Sequence, residues 1–78
     1  MEANVLNLKK VKNELEIELV MIRQKYFRQL GIDGCESMME EIDRKLMRML
    51  PGYDGTISAK DAFYEVIART ASDFAKLH

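Results

Sequence analysis

Seventy-eight residues allow one domain at most, and a single core in so short a chain contributes only about 3–5 kcal/mol unless a disulfide, a metal or self-association supplements it. Twelve basic and 13 acidic residues mix along the chain for a formal net charge of −1, which is not the electrostatic footprint of a general nucleic-acid binder. At 47% apolar residues the composition is that of a folding chain, not a disordered one.

Cys35 is the only cysteine, so an intramolecular disulfide is impossible. The expectation is a soluble protein of the reducing cytoplasm. Cys35 itself reads as a small buried hydrophobe at the start of a helix. No His or Lys adjoins it in sequence to depress its thiol pKa. Met1-Glu2 opens without a basic and apolar leader pattern. No apolar run approaches the roughly 20 residues that span a bilayer.

Gly and Pro punctuate the chain at two places, 31–34 and 51–55, and leave three helical segments. The first covers about residues 4–30. Leu8, Val11, Leu15, Leu19, Ile22, Tyr26 and Leu30 recur every three or four residues, which puts them on one helix face. Gly31 suits the position just past the helix end, and Arg28 lies where a cation complements the helix dipole.

The second segment covers about residues 34–50. Asp33 with Glu36, or Ser37 with Glu40, fits a capping box. Cys35, Met38, Met39, Ile42, Leu46, Met49 and Leu50 form its apolar face, and Pro51-Gly52 stops it. The third covers about residues 58–77, with Ser58 as N-cap, Asp61 at the third helical position, and a stripe of Ala62, Phe63, Val66, Ile67, Thr70, Phe74 and Leu77. Short connections imply antiparallel neighbours. The expected fold is all-α: a three-helix bundle, or a helical hairpin with a third helix across it.

The first helix carries a second apolar set: Leu6, Ile17, Val20, Met21 and Phe27. A helix apolar on most of its circumference is buried on most of it. The other two helices are shorter than the first, so they are expected to leave one end of it uncovered. Ile17, Val20 and Met21 either touch both other helices within a monomer or form a partner surface. Antiparallel pairing of two first helices into a homodimer is the simplest closed solution. On the third helix Tyr64, Ala68, Ala71 and Ala75 form a second face that another helix could approach closely, and Met47 stands off the stripe of the second helix.

Chemistry finds little support. The one histidine, His78, is the last residue, so no Ser or Cys has an imidazole base beside it in sequence. Glu40 with Arg44, Glu41 with Lys45 and Glu65 with Arg69 read as i,i+4 ion pairs on solvated faces. Without a Glu-x-x-His motif a di-iron carboxylate bundle is out. Asp54 to Asp61 resembles half of a calcium loop, but Leu50 and Gly52 occupy the first and third loop positions, where carboxylates belong. No metal and no cofactor are expected. Lys9, Lys10 and Lys12 near one end of the first helix, and Arg23, Lys25 and Arg28 near the other, flank Glu14, Glu16 and Glu18. A dimer could gather Arg23, Lys25 and Arg28 from two chains into one basic patch, which is the alternative, nucleic-acid-binding reading.

Met39-Glu40-Glu41-Ile42-Asp43 resembles the Ser-Gln-Glu-Leu-Asp signature of the small helical-hairpin aspartyl-phosphate phosphatases of sporulating bacteria. Glu41 and Asp43 match and Ile42 is conservative, whereas the Ser and Gln are absent and the third helix is extra to that pattern. The resemblance covers less than half of the chain, and no function is carried over from it. The expectation is a non-enzymatic regulator or adaptor that binds another protein through helix–helix contacts. Ile17, Val20, Met21 and Phe27 are its first anchors, with Met47 and Tyr64 as further contacts.

Overall fold

A computed structural model describes the backbone of residues 2–78 and the side chains of residues 7–78; Leu6, placed above in the second apolar set, lies outside the described side chains. Helix α1 spans Glu2–Glu14, α2 spans Glu16–Met49, a 3-10 turn covers Leu50–Gly52, and α3 spans Ile57–Leu77. The predicted first helix is therefore α1 joined to the first arm of α2, residues 16–30. The two meet at a bend on Leu15 (φ −107°, ψ 20°). The ladder runs through the bend, since Leu15 N donates to Val11 O at 3.1 Å and Leu19 N to Leu15 O at 2.9 Å.

Gly31 divides α2 into two arms, with φ 71° and ψ −175°. That region is essentially open to glycine alone, so one residue reverses the chain. The second arm starts at once, at Ile32, ahead of both predicted capping boxes. Asp33 and Ser37 are inside the helix and not caps. Asp33, in the first turn, places a carboxylate where the helix dipole favours one.

The turn at Leu50–Gly52 carries Pro51 in its first positions, where the missing N–H costs nothing. The cap of α3 is Thr56, not Ser58. Its Oγ1 accepts from Ala59 N at 3.1 Å, while Asp54 Oδ1 accepts from Thr56 N at 3.0 Å and from Thr56 Oγ1 at 2.6 Å. Asp54 orients the hydroxyl that orients the helix, so the cap of α3 lies two residues before the one the sequence pattern suggested.

The helices run up, down and up. Lys12 pairs with Asp43 at 3.0 Å across the hairpin, and Gln29 Nε2 donates to Ala75 O at 2.7 Å, which sets the end of α3 beside the end of the first arm. The core joins Val11, Leu15, Leu19 and Ile22 to Met38, Ile42, Leu46 and Leu50, and to Phe63, Ile67 and Ala71. Leu8, Tyr26 and Leu30 pack at its margin. Cys35 is fully buried, and its thiol donates to Arg23 O at 3.9 Å.

Three placements differ from the periodicity. Ala71 and Ala75 are buried, not a free second face: they are the side chains that let α3 approach the first arm closely enough for the Gln29–Ala75 bond. Ala62 and Leu77 fall outside the covered arc of α3 and are exposed. Arg44 pairs with Glu41 one turn away and not with Glu40, while Glu65–Arg69 forms as expected, at 3.4 Å.

Candidate functional site

The first arm of α2 buries Leu19, Ile22 and the body of Tyr26. At 3.6 residues per turn, Ile17, Val20, Met21 and Phe27 then project to the other side. They are 72%, 49%, 63% and 43% exposed. The chain's own helices do not cover them, so these side chains are not intramolecular core. Among the described side chains, the uncovered apolar face lies along the middle of the long limb. The reason is that the two neighbours pack on adjacent sides of the limb and leave its back open.

Gln24, exposed and four residues after Val20, continues the same line between Met21 and Phe27. It was missed because it is polar; the i, i+3, i+4, i+7 spacing from Ile17 identifies it. Over about 15 Å of helix the stripe reads Ile17, Val20/Met21, Gln24, Phe27. On its α3 side, Met21, Lys25, Tyr26, Tyr64, Ala68 and Ser72 border an open groove of 410 Å³. Tyr64 is thus brought beside Met21. Met47 is not: it is half-buried and packs against the core, so it does not extend the free apolar surface. Ile32, first residue after the reversal, is also exposed.

Arg23, Lys25 and Arg28 are all exposed, but the helix sets Arg23 apart from Lys25 and Arg28, which are neighbours three residues apart. Residues two apart point about 200° apart, so Arg23 lies on the flank towards the second arm and Lys25 on the flank towards α3. Lys25 Nζ sits 5.4 Å from the centre of the Tyr26 ring, a contact within one helix. Within one chain the three cations form no common patch.

Several other polar groups have local partners. Lys12 engages Asp43, one of the two residues that match the phosphatase signature. Asp54 is held below the usual carboxylate range by the hydroxyl and the backbone N–H of Thr56, so the acid of the calcium-loop resemblance serves the helix cap. His78 stacks on Phe74, ring centres 4.3 Å apart. Tyr53 donates to a Glu14 carboxylate oxygen and edges onto Phe63 at 4.9 Å. Among the described residues no three His, Cys, Asp or Glu side chains gather as metal donors, and no helix is long and apolar enough to cross a membrane.

No known protein family, no curated protein and no solved structure matches this chain.

Proposed function

We propose that this protein is a small non-enzymatic regulator or adaptor that binds another protein through the outward face of the first arm of α2. One observation carries the reading: four large apolar side chains, Ile17, Val20, Met21 and Phe27, stand exposed along one helix face opposite a completed core. Scattered exposed apolar residues need no explanation, but a contiguous strip at helical spacing is what a helix–helix contact uses as anchors. Tyr64 widens the strip towards α3. A cytoplasmic location is part of the reading and rests on the single free, buried thiol.

The test is a photo-reactive side chain at Gln24, introduced into the full chain and irradiated in cells. A covalent adduct with a polypeptide, lost when Val20→Glu is added, is the expected result. Adducts with nucleic acid only, or adducts indifferent to Val20→Glu, would overturn it. Circular dichroism of Val20→Glu should remain that of the parent, because Val20 lies outside the core.

A further inference from the structure

We infer that α1 is a hinged strap: it undocks as a unit about Leu15, straightens into line with the first arm of α2 and uncovers the core beside Leu50, while the hairpin and α3 stay folded. This motion does not depend on what binds the outward stripe. Residues 2–30 contain no Gly or Pro, and Leu8, Val11, Leu15 and Leu19 fall on one helical face. Local preference there favours one continuous helix. The chain instead holds Leu15 at φ −107° and ψ 20°, away from the helical values of about −63° and −42°.

The helix breaks at that residue alone. Leu15 N still bonds to Val11 O, and Leu19 N to Leu15 O. A bond from Glu16 N to Lys12 O, or from Glu18 N to Glu14 O, would carry the helix through Leu15, so both are missing. The two bonds kept lie on the core face, and the two bonds lost lie on its flanks. The backbone therefore pivots on the core face, and remaking the lost bonds carries α1 off its seat.

A short set of contacts holds α1 in the bent form. Among its described side chains only Val11 is fully buried, with Leu8 at the margin of the core. Lys12 pairs with Asp43, both partly exposed, and the Glu14 carboxylate accepts from the Tyr53 hydroxyl. Elsewhere α1 stands off the turn that follows α2. An open cleft of 310 Å³ lies between them, bordered by Asn7, Lys10 and Glu14 on one side and Tyr53, Asp54 and Gly55 on the other. The bent form keeps Val11 buried and both side-chain pairs but forgoes two backbone bonds. The straight form regains those bonds and exposes Val11 and Leu50. Such small, opposed sets of interactions leave the two forms close in free energy, with the docked one favoured by its apolar burial. The strap thus controls access to the apolar floor beneath it.

Pulsed electron spin resonance between two nitroxide labels on the full chain measures the strap. Lys9→Cys with Arg48→Cys, both at exposed positions, spans α1 and the second arm. Arg48→Cys with Arg69→Cys, also exposed, spans the second arm and α3 and serves as control. Cys35 is fully buried and takes no label. The first pair should give two distances, a dominant short one and a minor longer one. Asp43→Asn and Tyr53→Phe should each raise the longer fraction about two- to fivefold. Val11→Glu should make it dominant, with the control distance unchanged throughout. One distance that none of the three variants changes overturns the inference. So does a control distance that broadens together with the first, since α1 would then leave only as the whole bundle unfolds.

Discussion

Lys12 on α1 and Asp43 on the second arm of α2 are bound across 31 residues of sequence, with the ammonium nitrogen 3.0 Å from Oδ1 and 3.1 Å from Oδ2. The pair ties the start of the hairpin's first limb to the middle of its second. Both side chains are about one-third exposed, so solvent screens the attraction. Asp43→Asn is expected to cost no more than about 1 kcal/mol in urea unfolding, with a smaller difference from wild type at high salt. A loss of several kcal/mol would mean that Asp43 holds more than one partner.

The Tyr53 hydroxyl, bonded to Glu14, has its pKa pushed up to about 12, first by burial and then by the carboxylate that accepts its proton. A phenol whose folded pKa is raised stabilises the fold fully below its unfolded value near 10, and this contribution is lost as pH climbs from there through 12. Ultraviolet titration of the native protein should show one of the three tyrosines ionising late. Glu14→Gln should move that step down, though not back to 10, because burial remains.

Thr56→Ala should destabilise the protein by about 1 kcal/mol, since it removes the acceptor for Ala59 N. Ser58→Ala, at the second residue of α3 and exposed, should stay within about 0.5 kcal/mol. Equal losses at the two positions would refute the assignment of Thr56 as cap.

The hairpin reversal has two glycine requirements of different origin. Gly31 needs its positive φ, and replacing it by Ala should cost roughly 1–3 kcal/mol in backbone strain. Gly34 is helical, but a Cβ there would lie 2.8 Å from Leu30 Cβ, a group that cannot swing away like a side-chain tip. Gly34→Ala should therefore destabilise in chemical unfolding, although alanine is the better helix former. A stabilising Gly34→Ala would show that the two limbs can spread at the turn.

Ile42 is fully buried at the centre of the core. Ile42→Ala should cost about 2–5 kcal/mol, comparable with the whole stability expected of so small a domain, and leave the chain largely unfolded by circular dichroism. Ile42→Val should cost about 0.5–1.5 kcal/mol and fold.

The sequence by itself determined the helices and their inner faces. Val11, Leu15, Leu19 and Ile22, then Met38, Ile42 and Leu46, then Phe63 and Ile67 were legible because helical periodicity is local: each side chain's direction relative to its neighbours follows from 3.6 residues per turn. The stop at Pro51 and the break at Gly31 were legible for the same reason, being written in backbone restrictions. The competing caps were not. Thr56, Ser58, Asp33 and Ser37 all have the right chemistry, and only the path of the chain entering each helix decides which side chain reaches an unpaired N–H.

The tertiary structure alone decided which second faces are covered. Ala71 and Ala75 looked as free as Ile17 and Val20 in sequence. Yet α3 turns its alanines onto the first arm, while that arm turns Ile17, Val20, Met21 and Phe27 away from both neighbours. Periodicity gives the angle between two stripes on one helix; burial depends on where the other helices stand, and that is set by the sum of all the contacts in the core.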